Sequence, residues 1–292
     1  MQWQGRRESS NVEDRRGMSG GGKMLAGGGI IGVIVLIVNM FLGGNGDQSI
    51  QLPDIQQQSQ SQQSQLSPQE QAADDERAKF VKVVLADTED VWDKIFAQSG
   101  QHYTKPTLVL FRDQVESACG NASAASGPFY CPGDQKLYID LSFYQELQTR
   151  FNAPGDFAMS YVVAHEVGHH IQNLMGISDK MQRMRGQVSE DEYNKYSVKL
   201  ELQADFYAGL WAKYASQIKT ADGRSIIDPD DINEALTAAN AIGDDRLQKE
   251  SQGYIVPESF THGTSAQRMY WFKKGFQTGD LKQGDTFNAP DL

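Results

Sequence analysis

The stretch Tyr161–Gly176, YVVAHEVGHHIQNLMG, constrains this chain more than any other. It contains His165-Glu166-Val167-Gly168-His169. On an α-helix, residues four apart share a face, so both imidazoles can meet one metal ion. Glu166, beside the first histidine, is placed to act as general base for a water activated there. The competing reading is an amphipathic helix with incidental histidines. With five His in 292 residues, random shuffling produces the motif roughly 0.3% of the time. The metal-dependent hydrolase reading, a zinc peptidase in particular, is therefore preferred.

A catalytic zinc site uses three protein ligands and keeps a fourth position open. A metzincin-type continuation needs Gly three residues after His169 and His three beyond that. Gln172 and Met175 stand there and exclude it. Carboxylates are then the source of the third ligand. Glu201 stands out, on a helical segment with Asp205 four residues later on the same face. Glu201 completes a two-His, one-carboxylate set, and Asp205 accepts the free ring N–H of a ligand histidine. Ala204 and Ala208 are small, as a close helix approach requires. A solvated face is the alternative, but Leu200, Leu202, Phe206, Leu210 and Trp211 mark this helix as largely buried, and buried acids need partners. The set His165, His169, Glu201 is gluzincin-like and suits Zn²⁺.

The remaining histidines differ. His262 reads either as a surface or capping residue or as a donor to the oxyanion of a tetrahedral intermediate, with Arg268 nearby. His170 points about 100° away from His169 on the helix and reads as structural. His102 carries no reading.

Around this centre the chain divides by composition. Residues 1–23 are polar and glycine-rich, and are expected to be a disordered tail. Met24–Leu42 is uncharged, and as a helix of roughly 29 Å it can cross a bilayer. A cleaved signal peptide competes, but no A-x-A-like site follows. Arg6, Arg7, Arg15, Arg16 and Lys23 precede this segment, and no Lys or Arg occurs from Gly43 until Arg77. The positive-inside rule then predicts a single-pass inner (plasma) membrane protein, with its N-terminus cytoplasmic and the rest periplasmic or extracellular. Residues 43–67 are Gln/Ser-rich and read as a tether. The zinc domain is expected over 68–285, with a short tail at 286–292. The net charge is −11 overall, with +2 in residues 1–42 and therefore −13 in the remainder, and so acidic a domain argues against nucleic acid.

Within the domain, Ser67-Pro68 starts a helix to about Gln98. Thr107–Phe111 reads as a strand. Residues 128–131 and 136–140 flank the turn Pro132–Gln135 as a hairpin. Asp156 is expected to cap the motif helix and Gly176 to end it. Further helices are expected from Ser197, from Pro229 to Arg246 and from Ser265 to Phe276. Cys119 and Cys131 read as a disulfide in an oxidising compartment and as buried thiols otherwise.

The stretches GPFYCPGDQKLYIDLSFY (127–144), FNAPGDFAMSYVVAHEVGHHIQN (151–173), LELQADFYAGLW (200–211) and FTHGTSAQRMYWFKKGF (260–276) resemble the bacterial putative neutral zinc metallopeptidase family, the YpfJ-like proteins. The N-terminal segment and glycine-rich tail also resemble that family's, and the match covers most of residues 70–285. The resemblance implies an α+β, zincin-like (gluzincin) domain with a small sheet and a mainly helical remainder. By similarity to gluzincins, a protein or peptide substrate is expected to add as a strand along the edge of the 128–140 hairpin. The expected function is a membrane-anchored zinc peptidase with His165, His169 and Glu201 as ligands, Glu166 as base, and His262 and Arg268 at the oxyanion. Two rivals remain: a membrane-anchored binding protein with a structural metal site, and a hydrolase of non-peptide amides such as cell-wall bonds.

Overall fold

The computed structural model describes residues 1–17 and 66–290. The expected membrane segment 24–42, and the tether up to residue 65, lie outside the described residues. No helix among the described residues is long and apolar enough to cross a membrane.

The fold is mixed α and β, mainly helical, with two small sheets. In chain order, β1 is Val12–Asp14, α1 Pro68–Gln98, β2 Thr107–Phe111, β3 Gln114–Ser117, β4 Gly120–Ser123, β5 Phe129–Cys131 and β6 Lys136–Asp140. Then come α2 (Phe143–Thr149), α3 (Asp156–Leu174), α4 (Ile177–Met184), α5 (Glu190–Ala215), α6 (Pro229–Ala241), α7 (Asp244–Gln252) and α8 (Ser265–Thr278). The main sheet runs β1-β2-β6-β5, with β1, β2 and β6 parallel and β5 antiparallel to β6. Strands β3 and β4 form a separate hairpin, tied to β5 by a Cys119–Cys131 disulfide. The disulfide reading of these cysteines holds.

Several local expectations are met. Ser67 caps α1 by accepting the Glu70 N–H, while the Glu70 carboxylate accepts the Ser67 N–H at 2.8 Å. Thr107–Phe111 and the 128–140 hairpin form as expected. Gly176, at φ 74°, lies just past α3 and turns the chain into α4. Two others need correction. Asp156 begins α3 but does not cap it: it accepts the Tyr144 hydroxyl at 2.5 Å, and Glu234 of α6 accepts the Phe157 N–H at 2.9 Å instead. The helix expected from Pro229 to Arg246 breaks at Ile242–Gly243. There the Ser265 hydroxyl takes the Asn240 carbonyl at 2.8 Å, and the Asp244 N–H turns to Gly263.

The largest correction concerns the N-terminus. Residues 1–17 are not a disordered tail but an arm built into the domain. β1 pairs in parallel with β2, Val12 opposite Leu108 and Asp14 opposite Leu110. The Arg6 guanidinium grips Asp87 of α1 through two bonds of 2.5 and 2.6 Å. Arg7 reaches Glu89 and Asp90, and Ser9 and Asn11 both donate to Glu89. Arg16 and Arg112 converge on Asp74. The Met1 amino group meets Asp231 at 2.5 Å. Arg6, Arg7, Arg15 and Arg16, four of the cations behind the expected cytoplasmic tail, therefore pair with carboxylates of the fold, Arg15 with Glu13; Lys23 lies outside the described residues. A single span over 24–42 would put 1–23 and 68–285 on opposite faces of a bilayer. Strands of one sheet share one compartment, so that division does not fit this fold. The far end is pinned as well: the Thr286 hydroxyl donates to the Lys199 carbonyl at 2.6 Å, so the expected tail at 286–292 begins inside the fold.

The main core lies where α1, α3, α5 and α8 meet the sheet, around Phe80, Trp92, Leu110, Phe157, Tyr161, Trp211 and Phe272. Helices α5 and α8 touch backbone to backbone. A Cβ at Gly209 would lie 2.0 Å from the Phe272 carbonyl oxygen, and one at Gly275 would lie 2.1 Å from that of Phe206. This contact fixes α8, and so Arg268, against the helix that carries Glu201 and Asp205.

Candidate metal centre

Helix α3 is buried along nearly its whole length, which leaves its three histidines in distinct environments. His165 and His169, one turn apart, face α5. His165 Nε2 lies 3.0 Å from Glu201 Oε2, and His169 Nε2 lies 3.5 Å from Glu201 Oε1. One donor atom from each of the three residues falls within 4.8 Å of the other two. Two imidazole nitrogens and one carboxylate oxygen aimed at a common point suit a divalent metal of zinc type.

The support behind the donors is complete. His165 Nδ1–H donates to Asp205 Oδ1 at 2.8 Å, which leaves Nε2 free to act as a ligand. Asp205, four residues after Glu201, also accepts the Tyr161 hydroxyl at 2.5 Å. His169 Nδ1 donates to Gln172 Oε1 at 2.8 Å. That amide is oriented by its own donation to the Leu200 carbonyl at 2.6 Å. Gln172, whose presence rules out a metzincin, thus orients the second ligand. Its signal in the sequence was an amide side chain three positions after His169, about one helical turn on and on the same face.

Arg268 is not an oxyanion donor in this geometry. Its fork is committed to Asp205, Nε to Oδ2 at 2.8 Å and Nη2 to Oδ1 at 3.1 Å, with Nη1 on the Ile242 carbonyl at 3.3 Å. It neutralises the buried acid that orients His165. His262 lines the same cleft as Glu166, His165 and Glu201. Asp244, which the sequence reading passed over, holds it there. Asp244 Oδ2 accepts the backbone N–H groups of Thr261, His262 and Gly263 at 2.7, 2.7 and 3.1 Å. Oδ1 lies 3.3 Å and the Thr261 hydroxyl 3.0 Å from His262 Nδ1, while His262 Nε2 makes no hydrogen bond among the described residues. His170 is structural, as expected: Nε2–H donates to the Thr104 carbonyl at 2.6 Å and Nδ1 accepts the Tyr130 hydroxyl at 3.0 Å, tying β5 to α3.

The charges follow from burial and pairing. Burial alone would lower the pKa of His165, but Asp205 and Glu201 outweigh it and push it up to about 10 in the metal-free protein. Burial would raise Glu201, yet His169, His262 and His165 hold it well below the usual carboxylate range. Asp205 is opposed by burial and held at about 2 by Arg268 and His165. Glu166 differs: burial raises its pKa, with only partial opposition from the two histidines. A buried carboxylate raised in this way is a better proton acceptor than an exposed one.

The cleft runs past Gly127–Tyr130, so β5, the outer strand of the main sheet, borders it. Phe143, Phe151, Val162, Met181, Tyr193 and Ile242 give it largely apolar walls.

A family model described as putative neutral zinc metallopeptidase matches residues 1–287. The uncharacterized protein YpfJ of Escherichia coli is 48% identical over 293 residues, 98% of this chain and 99% of that protein. Uncharacterized proteins of Mycobacterium bovis and Mycobacterium tuberculosis are 44% identical over 220 residues, 73% of each chain. No solved structure matches.

Proposed function

Because the chain belongs to the putative neutral zinc metallopeptidase family, we propose that it hydrolyses peptide bonds of exported proteins or peptides. The observation that carries this reading is the convergence of His165, His169 and Glu201 with Glu166 in the same cleft. A purely structural metal site would need no such carboxylate, which disfavours the binding-protein rival.

His165, His169 and Glu201 would hold a zinc ion, which when bound would supply Lewis acidity for a substrate carbonyl and acidify a water towards pKa 7. Glu166 accepts the proton of the attacking water and hands it to the leaving amine. Asp205 and Gln172 hold the two imidazoles in the ligating tautomer. His262, fixed by Asp244, offers Nε2 to the developing oxyanion. The substrate backbone adds to the free edge of β5 in zincin fashion, with side chains entering the apolar walls. That edge, in the same cleft as His165, His169 and Glu201, favours a polypeptide over a cell-wall amide.

The test is turnover of casein by the purified protein, stopped by a chelator and restored by zinc. Stoichiometric zinc without cleavage of any denatured protein would sink the reading.

The proposed compartment is the exported side of a membrane, where the Cys119–Cys131 bond forms readily. The arm travels with the domain, and attachment through 24–42 would leave both flanks on one face. Cysteines introduced as Glu8→Cys and Asn288→Cys should react alike with an impermeant thiol reagent on intact cells. Opposite accessibility would refute this arrangement.

A further inference from the structure

Among the described residues two guanidinium groups line the cleft, and of these Arg268 alone is paired with a carboxylate. Arg268 is paired with Asp205 through two hydrogen bonds. Arg185, the residue that closes α4, lines the same cleft beside Gln182 and Tyr193. Its Nη2 is buried and has no hydrogen-bond partner among the described residues. Burial lowers its pKa, opposed by the Tyr193 phenol.

A desolvated N–H without an acceptor costs free energy that a bound anion would return. A planar guanidinium fork matches a carboxylate with two parallel bonds. In a cleft that receives polypeptide, the available anions are acidic side chains and the C-terminal carboxylate. We propose that Arg185 is a specificity residue of this cleft, pairing with a carboxylate of the substrate. The inference rests on the peptidase reading for its choice of ligand, but the anion site can be measured without turnover.

The experiment uses short fluorescent peptides of one scaffold. Glu or Gln is scanned through the positions, and each peptide ends in a free carboxylate or an amide. Binding is measured on zinc-loaded Glu166→Gln protein, alone and combined with Arg185→Gln or Arg185→Glu. Turnover of the same peptides is measured on the wild type. At one position the acid should bind about ten- to a hundredfold more tightly than its amide. Arg185→Gln should abolish that preference, and Arg185→Glu should reverse it towards a Lys peptide. A preference that follows the scanned Glu identifies a side-chain subsite. One that follows the free terminus identifies a carboxypeptidase-like subsite. Equal binding of acid and amide, or a preference unchanged in both Arg185 variants, overturns the proposal. Acid-selective binding with no wild-type turnover would refute the peptidase reading and leave the anion site standing.

Discussion

Gly168 faces Ala204 so closely that a Cβ at position 168 would lie 3.0 Å from both the Cα and the carbonyl oxygen of Ala204. This contact sets the spacing of α3 and α5, and with it the reach of Glu201 to His165 and His169.

Gly168→Ala adds a better helix former, worth about 1 kcal/mol in isolation. The backbone of α5 cannot yield to the methyl, so the helices must part by a few tenths of an ångström. Zinc affinity should fall at least about tenfold, as read by competition with a chromogenic chelator. Unchanged affinity would mean that the helix spacing does not govern the site.

Glu166→Gln should retain one zinc per chain and lose casein hydrolysis by about 10²–10⁴-fold, the usual contribution of a general base. Metal content by mass spectrometry and single-turnover rates check the two halves separately. Full activity in a clean preparation would remove Glu166 from the mechanism.

Arg268→Leu leaves Asp205 buried with one oxygen unpaired. The expected cost is about 3–5 kcal/mol in urea unfolding, with zinc binding weakened about 10–100-fold. Arg268→Lys should rescue little, because an ammonium cannot span both carboxylate oxygens. Intact stability with a selective loss of turnover rate would instead return Arg268 to the oxyanion.

The Asp244–His262 pair predicts a two-sided pH dependence in zinc-free protein. Burial opposes charge on His262, but Glu201 and Asp244 hold its pKa above 6.5, with Arg268 opposing. That contribution is fully present below pH 6.5 and is lost as pH rises through the raised value. Asp244, opposed by burial but stabilised by His262 and the loop N–H groups, sits below 3.8. Its contribution is present above pH 3.8 and is lost as pH falls through the depressed value. Asp244→Asn should remove the acid-side loss and shift the alkaline-side loss to lower pH. Urea midpoints across pH, with NMR titration of His262, read both. A His262 titration unmoved by Asp244→Asn would disprove the coupling.

Deleting residues 1–17 bares the edge of β2 and leaves Asp87 and Glu89 without their arginines. The truncated domain should melt well below the full chain, and a peptide of residues 1–17 added in trans should restore part of the loss. Arg6→Ala alone should cost about 3 kcal/mol, the low end for breaking a largely buried pair. A melt indifferent to the arm would show that it is only loosely held.

The metal centre was legible because its information is local. Four-residue spacings put His165 with His169, and Glu201 with Asp205, on single helix faces. The apolar neighbours of Glu201 showed that its helix was buried. What escaped was set by contacts distant in sequence. Asp244, at the start of α7, serves His262 eighteen residues later in the loop before α8, and Arg268 reaches back to Asp205. Burial of Asp87 and Glu89 on α1 makes sense only once Arg6 and Arg7 arrive from the far end of the chain. A polar, glycine-rich stretch with no periodicity looks solvated unless its partners are known. The same arginines, read as a topology signal, supported an arrangement that their pairing does not fit.

The arm also imposes an order of events during synthesis. β1 leaves the ribosome first, yet its partner β2 follows roughly ninety residues later. At 5–20 residues per second that is a wait of about 5–20 s. Through that interval the arm must remain unpaired, open to capture by a chaperone or a neighbouring nascent chain. Completion of the sheet therefore depends on an early-made segment being held in reserve for a strand made much later.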